Sequence, residues 1–223
     1  MNRKDYILFD LDGTLTDPKE GITKSVQHAL EHFGIQTDDL DSLTPFIGPP
    51  LRDSFKRYYG FSDEQAWEGV QAYREYFSVR GWVQNKEYPG IKEMLEALKE
   101  AGRVLLVATS KPEEFAKKIL DHFDMAEYFD FIGGANMDET RVRKGDVIRY
   151  VLEENQITEL DKVVMIGDRE HDIIGAKENS IDSIGVLYGY GDREELSVAG
   201  ADWIVDTVEE LGSLLDVLVE SRK

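Results

Sequence analysis

Asp10 and Asp12 stand two residues apart at the end of an apolar run, and Gly13-Thr14-Leu15 follows them. Residues two apart on an extended chain face the same side, so the spacing aims both carboxylates at one spot. A single aspartate after a strand usually caps a turn. Two in register, with a glycine that permits a sharp turn behind them, favour a functional role over a solvated turn. A second acidic pair, Asp168 and Asp172, lies in Gly167-Asp168-Arg169-Glu170-His171-Asp172. Four residues apart, they are expected on one helix face. An N-cap role would account for Asp168 alone. His171 has no second histidine at metal-binding spacing and reads as a packed or surface residue.

Two other stretches could handle an anion. In Thr109-Ser110-Lys111-Pro112, Ser110 stands three residues before Glu113, which is the spacing of a capping box. The same helix start, with free amides and a hydroxyl beside it, can also cradle a phosphate. Arg141-Val142-Arg143-Lys144 gathers three cations before another helix. Alone, that would be a solvated surface cluster. The formal charge of the chain is -19, and in so acidic a protein the local positive charge is more suggestive.

The elements that carry these residues alternate. Asp5–Asp10, Val104–Thr109, Asp130–Gly133, Lys162–Ile166, Ser183–Leu187 and Trp203–Val205 have strand character. Helices are expected between them at Ile91–Gly102, Glu113–Phe123, Lys144–Glu154 and Asp172–Asn179, with a last one at Val208–Leu218. This alternation implies an α/β, doubly wound, Rossmann-like parallel sheet covered on both faces. The segment 17–85 has no convincing strand. Asp17-Pro18-Lys19-Glu20 reads as N-cap, first-turn proline and capping-box glutamate, and Ile22, Val26, Ala29, Leu30 and Phe33 fall at helical spacing before Gly34. Further helices are expected at Leu51–Tyr59 and Ser62–Val79. The expected organisation is therefore a core of residues 1–16 and 86–223, interrupted by a helical module of residues 17–85.

Such sheets bind ligands at the carboxyl ends of their strands. Four strand ends would there present four aspartates, a threonine, a serine and a lysine. Four carboxylates cannot all ionise at close range without compensation, because like charges raise one another's pKa. A hard divalent cation resolves the conflict, and oxygen-only ligation favours magnesium. The chain has no cysteine, so thiolate nucleophiles, disulfides and Cys-ligated zinc are excluded. Hydrophobic residues make up 41%, enough for a full core, and no run approaches a membrane span. The acidity should repel nucleic-acid polymers and anionic membranes. It should repel phosphorylated substrates too, unless the site gathers cations. The polar start lacks the apolar block of a secretory signal, so a cytoplasmic location is expected.

In this order the strand ends resemble the haloacid dehalogenase (HAD) superfamily. Asp10-x-Asp12-Gly13-Thr14-Leu15 is similar to its first motif, Thr109 to the second, Lys144 to the third, and Gly167-Asp168 with Asp172 to the fourth. The resemblance extends over essentially the whole chain, and 17–85 would be its C1 helical cap. Ile47-Gly48-Pro49-Pro50-Leu51, the Asp168 stretch and Gly185-Val186-Leu187-Tyr188-Gly189-Tyr190-Gly191 resemble the phosphoglycolate phosphatase-like branch, and within it the 5'-nucleotidase-like phosphatases. Many relatives have proline where Gly145 stands and glycine where Ser180 stands. Gly145 leaves open whether Lys144 or Arg143 meets the phosphate.

The resemblance implies a phosphatase acting on a small phosphorylated metabolite. Asp10 would attack phosphorus. Asp12 would protonate the leaving oxygen and then activate water. Thr109, with Ser110 beside it, would bind a phosphoryl oxygen, and Lys144 would balance charge. Magnesium would be held by Asp10, the main chain of Asp12, Asp168 and Asp172. The Gly48–Arg52 loop is expected to face the substrate, with Arg52 and Lys24 as candidate contacts, although both also read as ordinary surface charges. A monomer or weak homodimer is expected. Two other functions fit part of the pattern. A receiver-like phospho-acceptor lacks a counterpart of Asp12, and a phosphomutase would return its phosphate to a sugar. Dehalogenation calls for neither Asp12 nor a metal.

Overall fold

The computed structural model describes residues 1–138 and 140–217. Two compact units are present: Met1–Asp17 with the chain from Glu87 onward, and Pro18–Lys86.

The first unit is built on β1 (Tyr6–Phe9), whose Ile7, Leu8 and Phe9 are wholly buried. A strand buried on both faces reads as an unbroken apolar run, and this one is central. After β2 (Thr16–Asp17) the chain enters the helical unit, and it returns through β3 (Lys86–Glu87); β2 and β3 form a two-stranded ladder. In the helical unit lie α1 (Lys19–His32), α2 (Leu51–Tyr59) and α3 (Asp63–Val79). Ser62 and Gln65 form a reciprocal capping box at the start of α3. Within this unit Phe46 meets Phe55 edge to face with ring centroids 5.1 Å apart, and Phe55 stacks on Phe61 at 5.6 Å.

The remaining elements are α4 (Ile91–Glu100), β4 (Val104–Pro112), α5 (Glu113–His122), β5 (Phe131–Ala135), α6 (Lys144–Glu154), β6 (Val163–Gly167), α7 (Glu170–Glu178), β7 (Asp182–Val186), α8 (Arg193–Ala199), β8 (Trp203–Val205) and α9 (Val208–Leu214). Six strands form one sheet in the order β5-β4-β1-β6-β7-β8. Every pairing is parallel, with Phe9 beside Val107 on one side and Ile166 on the other. The expected doubly wound α/β fold is therefore the one observed. The chain steps from β1 outward in both directions, which opens a crevice at the carboxyl ends of β4, β1 and β6. Val147, Ile148, Val151 and Leu152 of α6 pack on Leu8, Leu106 and Met165 beneath that crevice.

Several local expectations fail. Asp17 does not cap α1: Pro18 holds the cap position without a side-chain hydrogen bond, and Asp17 instead accepts from the Tyr190 hydroxyl. Ser110 does not cap α5 either, because β4 continues through Pro112 and no side chain caps the helix. The helix α8 was not expected at all. The final helix ends at Leu214, and Leu218, its expected end, lies outside the described residues. Among the described residues no helix is long and apolar enough to cross a membrane.

Candidate active site

The first acidic pair is presented by a folded loop and not by an extended strand. The strand β1 stops at Phe9, while the Asp10 N–H still donates to Ile166 at 2.9 Å. The chain then wraps around the Leu11 carbonyl, which accepts from Leu15 at 2.9 Å and Thr16 at 3.0 Å. Gly13 makes the turn at φ +83°, where an added Cβ would also collide with Asp168. Both Asp10 and Asp12 are buried.

The second pair differs from expectation too. Asp168 precedes the helix, whereas Asp172 lies in its first turn, so the two do not share a helix face. Oδ2 of Asp172 accepts from the Arg169 N–H at 3.1 Å, satisfying one amide of the helix start. Asp168, 0% exposed, accepts from the Tyr190 N–H at Oδ2, 2.7 Å away.

Asp10, Asp168 and Asp172 converge, each offering an oxygen within 4.8 Å of the others. Oδ1 of Asp168 is buried and meets no hydrogen-bond donor, while Oδ1 of Asp10 and of Asp172 face a single ammonium group. Buried polar atoms in that state are rare and call for an explanation. An all-oxygen set of this kind fits a hard divalent cation. The Asp12 carboxylate is not among the three. It pairs with Lys111, whose Nζ lies 2.7 Å from Oδ2.

Lys144 opens α6 and reaches back into the crevice. Its Nζ donates to the Ala108 carbonyl at 3.0 Å and lies 2.8 Å from Oδ1 of both Asp10 and Asp172. Those two contacts are buried ion pairs. Arg143 goes elsewhere: it is exposed and lies 3.8 Å from Glu178. Arg141 donates to the Gly134 carbonyl and covers the Tyr150 ring. Of the three clustered cations only Lys144 meets the acids. Thr109 is buried on β4, and its hydroxyl accepts from the Lys111 N–H at 3.2 Å. Ser110 is half-buried next to it. Lys24 and Arg52 belong to the helical unit, where Lys24 pairs with Glu20 at 2.7 Å and Arg52 with Asp63 at 3.6 Å.

Burial sets the electrostatics. It raises the pKa of Asp168 well above the ordinary value, and Asp172 and Asp10 add to the rise. It lifts Asp172 to about 6, against the pull of Lys144. It also raises Asp12, against the opposing effect of Lys111. For Lys144, burial disfavours the ammonium, but Asp10 and Asp172 outweigh it and hold the pKa above the lysine norm. Four carboxylates against two ammonium groups leave two negative charges, which one divalent cation would balance.

Lys111, Tyr188 and Tyr190 stand in stretches that the sequence marked out, but no role was read for them. The Tyr188 hydroxyl donates to the Thr14 carbonyl at 3.1 Å, and Tyr190 binds Asp17 by its hydroxyl and Asp168 by its N–H. Gly189 stands between them, where a Cβ would strike the Gly13 carbonyl. The alternation of tyrosine and glycine over 188–191 was the available signal.

Known proteins share this arrangement of chain. Residues 7–186 match the family model described as haloacid dehalogenase-like hydrolase. A 5'-nucleotidase of Pseudomonas aeruginosa is 50% identical over 190 residues, covering 85% of this chain and 86% of its own. The tyrosine-protein kinase PtkA of Mycobacterium tuberculosis is 40% identical, covering 95% of this chain and 72% of its own. A crystal structure of a predicted phosphatase from Clostridium acetobutylicum aligns with a TM-score of 0.94 at 51% identity, over 97% of this chain and 100% of that one. The chain belongs to the haloacid dehalogenase-like hydrolase family and is a phosphatase within it.

Proposed function

We propose that the protein is a magnesium-dependent phosphomonoesterase that hydrolyses a small phosphorylated metabolite, a nucleoside 5'-monophosphate or a phosphoglycolate-like acid, through a phosphorylated Asp10. The observation that carries this reading is the convergence of the buried carboxylates of Asp10, Asp168 and Asp172, each offering an oxygen within 4.8 Å of the others. Magnesium held by these carboxylates would supply positive charge opposite the transferring phosphoryl group.

The chain's own residues do the rest. Asp10 attacks phosphorus while Lys144, 2.8 Å from its carboxylate, balances the charge gathering there. Asp12 gives a proton to the departing oxygen as the phosphorus–oxygen bond breaks. The same carboxylate then takes a proton from the water that splits the aspartyl phosphate. A pKa raised by burial suits a group that must donate first and accept afterwards. The Thr109 hydroxyl and neighbouring Ser110 would bind phosphoryl oxygens. The helical unit acts as the cap that selects the leaving group, with Lys24 and Arg52 as its candidate contacts. Location in the cytoplasm fits this role.

Phosphate release from a panel of nucleotides, phosphoglycolate, sugar phosphates and a phosphotyrosyl peptide, with and without magnesium, tests the proposal. Hydrolysis of one class, abolished by chelation and by Asp10→Asn in a folded protein, is expected. Full activity in the chelated enzyme or in Asp10→Asn would reject it.

A further inference from the structure

Lys111 is nearly as buried as the acids, with only 5% of its side chain exposed. It lies near the end of β4, where the pairing with β5 shifts register between Thr109 and Pro112. Such irregularities redirect side chains at strand ends. Here the redirected Lys111 N–H is anchored on the Thr109 hydroxyl at 3.2 Å, and the ammonium lies 2.7 Å from Oδ2 of Asp12. Oδ1 of the same carboxylate is buried and meets no donor. The partners of Lys144 are Asp10, Asp172 and the Ala108 carbonyl, so Lys111 and Lys144 hold different acids.

We propose that Lys111 is a positioning residue for the proton transfer to the leaving group. By holding Oδ2 it fixes the plane of the Asp12 carboxyl and leaves Oδ1 as the oxygen that faces the ester. This rests on the reading of Asp12 as general acid. In the step concerned, the bond from phosphorus to the ester oxygen breaks, a bond from phosphorus to Asp10 forms, and the proton on Asp12 moves to the departing oxygen. An alkyl leaving group needs that proton, whereas a nitrophenolate leaves as a stable anion without it. Loss of positioning should therefore fall on alkyl esters and spare activated aryl esters.

The test is kcat/KM, which reports the first displacement, for p-nitrophenyl phosphate and for an alkyl phosphate such as glycerol phosphate, with magnesium present. Lys111→Met, Lys111→Gln and Lys111→Arg are compared with Asp12→Ala. General acid help is worth ~10²–10⁴-fold, so Lys111→Met is expected to lose at least ~10-fold more on the alkyl ester than on the aryl ester. Lys111→Arg should recover part of the difference. Lys111→Gln keeps a donor and much of the length, and it decides the matter if Lys111→Met does not fold. An equal loss on both esters, or none, would overturn the role of Lys111. If Asp12→Ala also fails to discriminate, the reading of Asp12 falls and the inference falls with it. If Asp12→Ala discriminates and the Lys111 variants do not, only the inference on Lys111 is lost.

Discussion

The main-chain N–H of Tyr190 donates to Oδ2 of Asp168 at 2.7 Å, joining the loop after β7 to the acid at the end of β6. That bond occupies one oxygen of Asp168 and leaves Oδ1 for the carboxylate cluster. Gly189 makes the approach possible, since a Cβ there would collide with the Gly13 carbonyl and with Asp168.

Gly189→Ala should therefore push two loops apart. Overpacking of this kind costs about 1–3 kcal/mol. The expected outcome is a lower melting temperature together with a higher magnesium concentration for half-maximal activity. A variant that melts lower but keeps its magnesium requirement would show that this loop does not hold Asp168 in place.

Lys144 lies between two buried acids, so its removal should hurt twice. Lys144→Met leaves Asp10 and Asp172 facing each other, and breaking a buried ion pair costs about 3–5 kcal/mol. Adding Asp172→Asn removes one of the uncompensated buried charges. The double variant should regain much of the lost stability in urea denaturation yet remain inactive, because the charge beside Asp10 and one proposed metal ligand are both missing. Recovery of activity along with stability would reduce Lys144 to a structural role.

The strand ends were legible because a doubly covered sheet makes β1, β4 and β6 nearly pure apolar runs, which stop abruptly at Asp10, Thr109 and Asp168. The geometry beyond each stop was not. Asp10 and Asp12 are aimed by amides gathered on the Leu11 carbonyl, which no two-residue periodicity reveals. Asp17 has the local signature of a cap, but a partner 173 residues away takes its carboxylate. The helix α8 carries Asp192 three residues before Glu195 and closes at Gly200, both ordinary helix signals. It buries only Leu196, so no apolar stripe marks it. Lys111 stayed hidden because its partner lies on another strand end.

The side chain and main chain of Tyr190 do separable work. Burial, then Asp17, raises the phenol's pKa, so the hydroxyl stays a donor. Tyr190→Phe removes that donor and keeps the N–H bond to Asp168. A hydrogen bond to a charged group contributes about 1.5–3 kcal/mol, and a loss of that order is expected in the unfolding free energy from urea denaturation. The magnesium dependence of activity should be unchanged. A shift in it would mean that the hydroxyl, and not the amide alone, sets the position of Asp168.

Asp168 should weaken the metal-free fold that it serves. Its carboxylate is fully buried and faces Asp172 and Asp10, so its pKa stands well above the ordinary value of 3.8. An acid with a raised pKa binds its proton more tightly folded than unfolded. Its charged form therefore costs stability, and the cost grows as pH rises above 3.8 toward the folded value. Asp168→Asn keeps an acceptor for the Tyr190 N–H and removes the charge. Without magnesium the variant should melt higher than the parent near neutral pH, and this advantage should shrink on acidification toward 3.8. With magnesium the order should reverse, because the parent gains binding free energy that the variant has lost. Thermal melts of both proteins, with chelator and with magnesium, measure this directly. A variant that is less stable under both conditions would mean that Asp168 is held by favourable contacts and not strained by its acidic neighbours.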